Sequence, residues 1–358
     1  MVRLLAFHLL NDYSGSPKVL FQILSRLSSV NDITLVTSNG GILDSLQEKG
    51  VKIHHFYYCF KKNKVITILL FLYAQIACFF LGLKYGRNRI FYINTILPIG
   101  ATIAAKVLGR PIVYHYHENA KAKGPIYRLL SRLMLKSADK IICVSENQAS
   151  TLPKSKKIVV IPNAIPKSFE DIIDYRFDDA FRHKRILMLC SLKKYKGINE
   201  FCRLAENMPN YRFELVINDT ELNIKEYFEE NCLPQLSNLI WHSRQSDVLP
   251  FYLKSAVVLN LSNKNEIVET FGLTAIEAIA CGRPVIGPTV GGISEIIIDG
   301  FNGYKIDLQD LGQVKKAIEY ILSKKEIFME FCHNSLSLKP KYSEVNIVNQ
   351  INNVICSL

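Results

Sequence analysis

Short apolar runs alternate with helix-length segments along most of the 358-residue chain, and this alternation limits the possible folds more than any other feature. Fully apolar strands separated by helices are typical of a parallel sheet that is buried on both faces and joined by right-handed crossovers. The first half holds seven such runs, at residues 4–10, 33–37, 51–56, 90–93, 111–114, 140–144 and 157–161.

The alternation stops in a polar, proline-containing stretch at residues 162–184 and then resumes. Five further runs follow, at residues 185–189, 213–217, 239–241, 257–261 and 284–286. The sequence therefore predicts two doubly wound α/β domains, with a linker between them and a terminal amphipathic helix that packs back towards the first domain. The predicted bounds are 1–165 for the first domain, 166–183 for the linker, 184–340 for the second domain and 341–358 for the terminal segment.

Composition indicates a folded protein of the cytoplasm. Hydrophobic residues make up 49% of the chain and charged residues 21%, which excludes a disordered or fibrous chain. The nine cysteines form no Cys-x-x-Cys pair, and the N-terminus has no signal-peptide pattern. We therefore expect reduced cysteines and a cytoplasmic location.

Positive charge is concentrated in the first half. Residues 1–165 carry 22 Lys/Arg and 7 Asp/Glu, a net charge of +15, whereas residues 166–358 carry 22 and 25, a net charge of −3. Residues 49–117 contain ten Lys/Arg and no acidic residue. Such a field suits nucleic acid or an anionic membrane surface, although a solvated basic face without a partner has the same signature.

Residues 65–83 form an apolar segment that is long enough to span a membrane. The alternation, however, requires a crossover helix at this point, and basic residues flank both ends, so the positive-inside asymmetry of a spanning helix is missing. We expect either a buried crossover helix or one whose outer face lies on a membrane. The flanking residues are Lys61, Lys62, Lys64, Lys84, Arg87 and Arg89.

Two carboxylates stand eight positions apart in the stretch ETFGLTAIEAIACGRPVIGPTVGGISEIIIDGFNG. Glu269 is predicted to lie in the loop before a helix that starts near Gly272, and Glu277 on the helix itself, which ends at Gly282. The helix start offers backbone N–H groups beside a residue without a side chain, a favourable place for an oxygen-rich ligand.

This stretch resembles the family 4 glycosyltransferases of the GT-B fold, and the resemblance extends over nearly the whole chain. It implies two Rossmann-like domains that face a central cleft, and transfer from a nucleotide-sugar with retention of anomeric configuration. It also implies that Glu277 binds the ribose hydroxyls, while Glu269 and the backbone at Phe271, Gly272 and Leu273 bind the sugar.

A lysine-rich loop follows the first strand of the second domain, where a diphosphate is commonly held. In the family an Arg and a Lys of this loop bind the diphosphate. Lys196 matches the Lys, whereas Ser191 stands in the position of the Arg. Lys193 or Lys194 could supply the missing charge, without the bidentate geometry of a guanidinium.

Three positions of the first domain are candidates on the same resemblance. Gly15 lies in a loop similar to the family's glycine loop, and His117 follows a strand whose end carries a His-Asp or His-Glu pair in the family. Strand alternation puts His115 on the same side, so it is a rival. Asn94, at the end of another strand, is a candidate on the acceptor side.

These features predict a retaining hexosyltransferase that uses a UDP-sugar. Its acceptor would be a glycan, lipid-linked and bound mainly by the basic first domain, in the synthesis of a bacterial surface polysaccharide. No Asp-x-Asp motif is present, so we expect no metal and no cofactor; nucleic acid is not an expected partner. The basic first half predicts a peripheral enzyme on the inner face of an anionic membrane. The alternatives are a nucleotide-sugar epimerase of the same fold and a non-catalytic partner subunit that binds sugar or lipid.

Overall fold

The computed structural model describes residues 1–61 and 63–358, which form two compact units. Unit 1 comprises Met1–Ala164 and Val345–Leu358, and unit 2 comprises Ile165–Glu344. Lys62, named above among the flanking basic residues, lies outside the described residues.

Within its described residues, unit 1 contains one sheet of seven parallel strands in the order β3-β2-β1-β4-β5-β6-β7. Each of the seven predicted apolar runs overlaps one of these strands, so this part of the prediction is confirmed. The strands are β1 (Arg3–Phe7), β2 (Asp32–Ser38), β3 (Lys52–Phe56), β4 (Ile90–Asn94), β5 (Ile112–Tyr116), β6 (Lys140–Cys143) and β7 (Ile158–Val160).

Helices connect these strands and cover the sheet. The central strands are buried, and the rings of Phe7 and Phe91 stack with their centroids 5.6 Å apart. Between β2 and β3 the connection is a 3-10 segment at Ile42–Lys49. The helices of this part of the chain are α1 (Gly15–Leu27), α2 (Lys64–Tyr85), α3 (Ile99–Val107), α4 (Pro125–Ser137) and α5 (Glu146–Ser150).

Helix α2 is the predicted crossover between β3 and β4, but the expectation that it could be buried is wrong. All residues of α2 are described, and of these only Ala74, Cys78 and Gly82 are buried. In the described chain it is the one helix that is long and apolar enough to cross a membrane, and 17% of its most apolar window is buried. Its outer face is therefore apolar and exposed.

Unit 2 contains a second sheet, with six parallel strands in the order β10-β9-β8-β11-β12-β13 among its residues, all of which are described. The sequence predicted five of them; it missed β13, because this edge strand has three residues and begins with a glycine. The strands are β8 (Arg185–Cys190), β9 (Arg212–Ile217), β10 (Leu239–His242), β11 (Val257–Leu259), β12 (Val285–Gly287) and β13 (Gly303–Lys305).

The segment 166–183, predicted to be a linker, is instead part of unit 2. It holds two short helices, and its residues Phe169 and Ala180 are buried. Buried Arg283 donates a hydrogen bond to the carbonyl oxygen of Tyr175, which fixes the segment to the unit. The helices that follow α5 are α6 (Lys167–Glu170), α7 (Phe177–His183), α8 (Ile198–Glu206), α9 (Glu221–Glu230), α10 (Leu249–Lys254), α11 (Leu273–Ala280), α12 (Leu311–Ile321), α13 (Lys325–Leu338) and α14 (Glu344–Cys356).

Helix α14 contributes to unit 1 from Val345 onwards. Val348, Ile351 and Ile355 are buried as their spacing suggests, whereas Val345 is exposed. A hydrogen bond of 3.1 Å from Nδ2 of Asn31 to Oδ1 of Asn352 adds a polar contact to this packing. Residues 341–344, the last of which is the first residue of α14, belong to unit 2.

Candidate functional site

Lys196 and Glu269 form the centre of a polar cluster in unit 2. Nζ of Lys196 donates a hydrogen bond to Oε1 of Glu269, and the two groups form an ion pair. Each side chain is about one-fifth exposed, 18% and 19%, so a ligand can reach both. Burial alone would lower the pKa of Lys196, but the charge and hydrogen bond of Glu269 outweigh it, and the pKa is raised above its usual value. The lysine is therefore positively charged at neutral pH.

The loop that carries Lys196 depends on Gly197. A 3-10 turn at Lys194–Lys196 follows β8, and Gly197 then has φ +78°. A Cβ atom at this position would lie 2.4 Å from the carbonyl oxygen of Leu261, so a side chain has neither a relaxed conformation nor space. This close approach seats the loop against the chain that leads from β11 to Glu269.

Glu269 is held through its backbone and its side chain. Oγ of Ser262 donates a hydrogen bond of 2.8 Å to Oε1, and the N–H of Gly292 donates one of 2.7 Å to the carbonyl oxygen. Gly291 has φ +96°, and a Cβ there would lie 2.5 Å from the same carbonyl oxygen. The Gly-Gly pair of the motif thus fixes the position of Glu269.

Helix α11 begins at Leu273, directly after Gly272, close to the predicted start. The sequence suggested that Gly272 leaves room for a ligand, but Ile293 fills that room: a Cβ on Gly272 would lie 2.7 Å from Cγ1 of Ile293. The side chain of Phe271 is largely buried and contacts Tyr342, with ring centroids 6.4 Å apart. The backbone N–H groups of the first turn are the groups that this helix start offers to a ligand.

Glu277 lies on α11, as predicted, and is oriented by Tyr252 of α10. The hydroxyl of Tyr252 donates a hydrogen bond of 2.7 Å to Oε2 of Glu277. Burial, together with the negative charge of Glu277, raises the pKa of this hydroxyl well above its usual value, so it stays a donor. Nε of the buried Arg283 donates to the carbonyl oxygen of Tyr252 at 3.0 Å and fixes its backbone.

The other lysines of the loop lie outside the ion pair. Lys193 and Lys194 are exposed, and Ser191 is partly buried. The N–H of Lys193 donates a hydrogen bond of 2.8 Å to the carbonyl oxygen of Ser191, which keeps the turn tight. Both lysines remain candidates for the charge that is missing at Ser191.

In unit 1, Asn94 bridges two histidines at the end of the sheet. Its Oδ1 lies 2.9 Å from Nε2 of His117, and its Nδ2 lies 3.0 Å from Nδ1 of His8. With the amide in this orientation, His117 donates and His8 accepts. Nδ2 also donates to the carbonyl oxygen of Ser16 at 3.3 Å. Asn94 and His117 therefore belong to one hydrogen-bonded group.

Gly15 lies beside this group, because it begins α1 one residue before Ser16. The loop in front of it is closed by Asp12, whose Oδ1 accepts hydrogen bonds from the N–H (2.9 Å) and the hydroxyl (2.6 Å) of Ser14. Unit 1 thus brings its three predicted positions, Gly15, Asn94 and His117, to the same end of the sheet.

His115 and His117 lie on the same side of β5, as strand alternation predicted, with ring centroids 4.2 Å apart. His115 is 1% exposed and its Nδ1 lies 2.8 Å from the hydroxyl of Tyr92, so it is a core residue. Burial lowers the pKa of His115 to about 3 and that of His8 to about 4, and holds that of His117 well below its usual value. All three imidazoles are neutral near pH 7 and act through hydrogen bonds.

The described residues contain no cluster of three or more His, Cys, Asp or Glu side chains that could hold a metal ion. Glu118, next to His117, is buried, and burial raises its pKa. Its carboxylate accepts hydrogen bonds from the backbone N–H groups of Ile96 (3.3 Å) and His117 (3.2 Å). It therefore serves to hold the loops after β4 and β5.

Sequence reasoning missed three residues that complete these groups: Tyr252, Ser262 and His8. Ser262 carried a weak signal, as a polar residue just after an apolar run. His8 lay inside a predicted strand, and Tyr252 lay in an ordinary helix 25 positions before its partner. Only the fold brings these side chains to the predicted residues.

Two family models match adjacent parts of the chain. The model described as Glycosyltransferase Family 4 matches residues 13–169, and the model described as Glycosyl transferases group 1 matches residues 172–335. Together they cover about nine-tenths of the chain. The chain belongs to the family 4 glycosyltransferases of the GT-B fold. Its two Rossmann-like sheets are those of this family, and the expectation from the sequence is confirmed.

Individual relatives are distant. An uncharacterized glycosyltransferase of Methanocaldococcus jannaschii is 27% identical over 212 residues, 58% of this chain and 56% of that protein, so the match spans about half the length of this relative. A Klebsiella pneumoniae protein, described as an uncharacterized 41.2 kDa protein in the cps region, is 24% identical over 75% of this chain and 78% of its own. The Anabaena protein HepE, solved with UDP and glucose, has a TM-score of 0.82 at 17% identity over 100% of both chains, which shows a shared fold.

Proposed function

We propose that this glycosyltransferase moves a hexosyl unit from a UDP-sugar to a glycan acceptor, and that unit 2 holds the donor. The observation that carries the proposal is the ion pair between Lys196 and Glu269 just before the start of α11. A cation, a carboxylate and backbone N–H groups are the groups needed for a diphosphate and a sugar with several hydroxyls. Crystals of Anabaena HepE with UDP-glucose support the choice of UDP.

Each group has a separate task in this proposal. Lys196 and the N–H groups at the start of α11 stabilise the negative charge that develops on the departing diphosphate. Glu269 accepts hydrogen bonds from the sugar hydroxyls, and Glu277 accepts them from the two ribose hydroxyls. Because Tyr252 fixes one oxygen of Glu277, the carboxylate has a defined orientation before the nucleotide binds.

The proposed reaction keeps the anomeric configuration and uses no metal ion. The bond from the anomeric carbon to the diphosphate breaks as the acceptor hydroxyl attacks the same face, and the hydroxyl proton passes to the departing phosphate oxygen. Lys196 supplies the positive charge, since its pKa is raised by Glu269. In unit 1, Asn94 holds Nε2 of His117, and the proposed role of this neutral imidazole is a hydrogen bond with a sugar hydroxyl.

We propose a surface polysaccharide as the product, with a lipid-linked glycan as the acceptor. The match with a Klebsiella pneumoniae protein of the cps region supports this direction. The net charge of +15 on residues 1–165 agrees with an anionic acceptor or an anionic surface beside it.

A thermal-shift screen of nucleotides, followed by incubation with donor alone and with acceptors, tests the proposal. UDP should raise the melting temperature more than ADP or GDP at equal concentration, because the nucleotide with the lowest Kd stabilises the native state most. A ligand at 100 times its Kd stabilises the native state by about 2.7 kcal/mol. In the incubations with donor and acceptors, Lys316→Ala is the matched control for Lys196→Ala, because Lys316 is an exposed lysine on α12. The proposal fails if no nucleoside diphosphate shifts the melting temperature, or if donor alone is converted to an epimer.

A further inference from the structure

Helix α2 exposes a broad apolar face. At 3.6 residues per turn, its exposed apolar side chains span an arc of roughly 160°, and the buried ones lie opposite. Tyr73, near one edge of this arc, is the only residue of this set whose side chain has a polar atom. The exposed residues are Val65, Ile66, Ile68, Leu69, Leu72, Tyr73, Ile76 and Phe80.

The opposite face of α2 is fixed tightly to unit 1. A Cβ on Gly100 of α3 would lie 1.9 Å from the carbonyl oxygen of Gln75, and the N–H of Gly100 donates to Oε1 of Gln75 at 3.1 Å. A Cβ on Gly82 would lie 2.7 Å from Cβ of Ala104. The two ends of α2 lead into β3 and β4 of one sheet. The apolar face of α2 is therefore exposed while the opposite face stays packed on unit 1. The helix cannot cross a bilayer unless it detaches from the sheet.

Neighbouring helices add to this surface. Helix α2 packs against α3, and α3 contacts α4. Ile103 and Val107 are exposed on α3, and Ile126, Leu129 and Leu133 are exposed at i, i+3 and i+7 on α4. We refer to the exposed apolar residues of α2, α3 and α4 together as the apolar surface.

Basic residues accompany the apolar surface, and carboxylates do not. Glu118 is the single acidic residue between positions 49 and 136, and it is buried. The surface is therefore apolar within a positive field. The exposed basic residues on its three helices are Lys64, Lys84, Lys106, Arg128, Arg132 and Lys136.

We propose that the apolar surface docks on an anionic lipid bilayer, with α2 lying in the plane of the interface. An apolar helix face beside lysines and arginines is the pattern of interfacial helices, in which the apolar side chains enter the acyl boundary and the cations bind anionic head groups. A second copy of the chain is a poor occupant, because two such surfaces would bring like charges together. The proposal goes beyond the donor chemistry and does not depend on it.

Vesicle flotation with the full chain and no substrate tests the proposal. The protein should float with phosphatidylglycerol vesicles at low salt, float less at high salt, and bind phosphatidylcholine vesicles at least about tenfold more weakly. The triple variant L69Q/L72Q/I76Q should lose about tenfold in affinity. Its matched control, L222Q/I240Q, changes two exposed apolar residues of unit 2 and should bind like the wild type.

A fluorescent reporter tests the orientation of α2. The chain has one tryptophan, Trp241 in unit 2, so Tyr73→Trp adds a single new indole on the apolar surface. Brominated acyl chains should quench the added indole in the bound state and leave Trp241 unquenched. Partial release at high salt without detergent distinguishes interfacial docking from a spanning helix.

The proposal is overturned if the protein binds anionic and neutral vesicles equally. It is also overturned if L69Q/L72Q/I76Q has the melting temperature of the wild type and binds vesicles equally well. A third contrary result is a wild-type dimer that this variant converts to monomer without an effect on flotation. Binding to an acidic protein in the absence of vesicle binding would also contradict it. None of these results bears on nucleotide binding, so the proposed function stands or fails separately.

Discussion

Lys196 and Glu269 are 73 positions apart in the chain and form an ion pair in unit 2. The pair is neutral as a whole, so it holds a charged lysine in place without leaving an unpaired charge in a partly buried site. A diphosphate that binds there must compete with Glu269 for the ammonium group. We therefore expect donor binding to loosen this pair and to release Glu269 for the sugar hydroxyls.

Replacing Lys196 or Glu277 by alanine should lower activity at least ~100-fold, about 2.7 kcal/mol of transition-state stabilisation. Lys196→Ala should act mainly on kcat, because negative charge builds on the leaving phosphate in the transition state. Steady-state kinetics with the donor identified by the screen measure both effects.

The variant Lys193→Ala tests whether Lys193 replaces the arginine that is missing at Ser191. A loss of activity as large as that of Lys196→Ala would show that it does. Turnover of Lys196→Ala at the wild-type rate would refute the role of Lys196.

Tyr252→Phe should weaken UDP binding by about tenfold, because a hydrogen bond to the charged Glu277 is lost. Tyr252 acts through Glu277, so KM for the donor should rise while kcat changes little. Tyr320→Phe, which changes an exposed tyrosine of the same unit, is the matched control. An unchanged KM for Tyr252→Phe would show that the hydrogen bond does not position the carboxylate.

The sequence alone predicted most of the fold, because buried parallel strands leave an apolar run at each position. It missed β13 and placed a linker at 166–183, where short segments are ordered by tertiary contacts such as the hydrogen bond from Arg283 to Tyr175. Such contacts leave no local periodicity. The sequence could also not predict that α2 is exposed, since a helix that is apolar on all sides has the same sequence pattern in a core and on a surface.

The sequence could name only some of the residues that the structure brings together in the candidate site. Glu269, Glu277 and Lys196 stand in motifs with recognisable spacing, so sequence could name them. Tyr252 and Ser262 reach them only through the packing of α10 and of the loop after β11. Gly272 is the opposite case: the sequence suggested space for a ligand beside it, but the side chain of Ile293 fills that space.

Activity should persist after removal of divalent cations. In the proposed mechanism the diphosphate is stabilised by Lys196 and by backbone N–H groups, so EDTA should leave the rate within about twofold of its value in Mg²⁺. Initial rates before and after chelation measure this. Complete loss of activity that Mn²⁺ or Mg²⁺ restores would contradict the mechanism.

Stability should fall as pH falls from about 7 to about 5, because buried histidines are neutral in the folded state and gain protons on unfolding. Burial lowers the pKa of His115 to about 3 and of His8 to about 4, so each contributes a loss of up to about 1.4 kcal/mol per pH unit below about 6.5. Glu118 opposes this trend above about pH 4.5, since its pKa is raised in the folded state.

The effect is isolated by comparing slopes of melting temperature against pH. His115→Gln should give a shallower slope than the wild type, because it removes a buried imidazole that gains a proton on unfolding. Equal slopes for the two proteins would show that His115 does not titrate on unfolding.

Calorimetric titration of UDP tests the donor site most directly. Wild-type protein and the control Glu319→Gln, at an exposed position of α12, should bind UDP with the same Kd. Glu277→Gln should bind at least about tenfold more weakly, because a neutral amide is a poorer acceptor for the ribose hydroxyls than a carboxylate. An unchanged Kd for a folded Glu277→Gln, or no binding of UDP to the wild type, would contradict the assignment of unit 2 as the donor site.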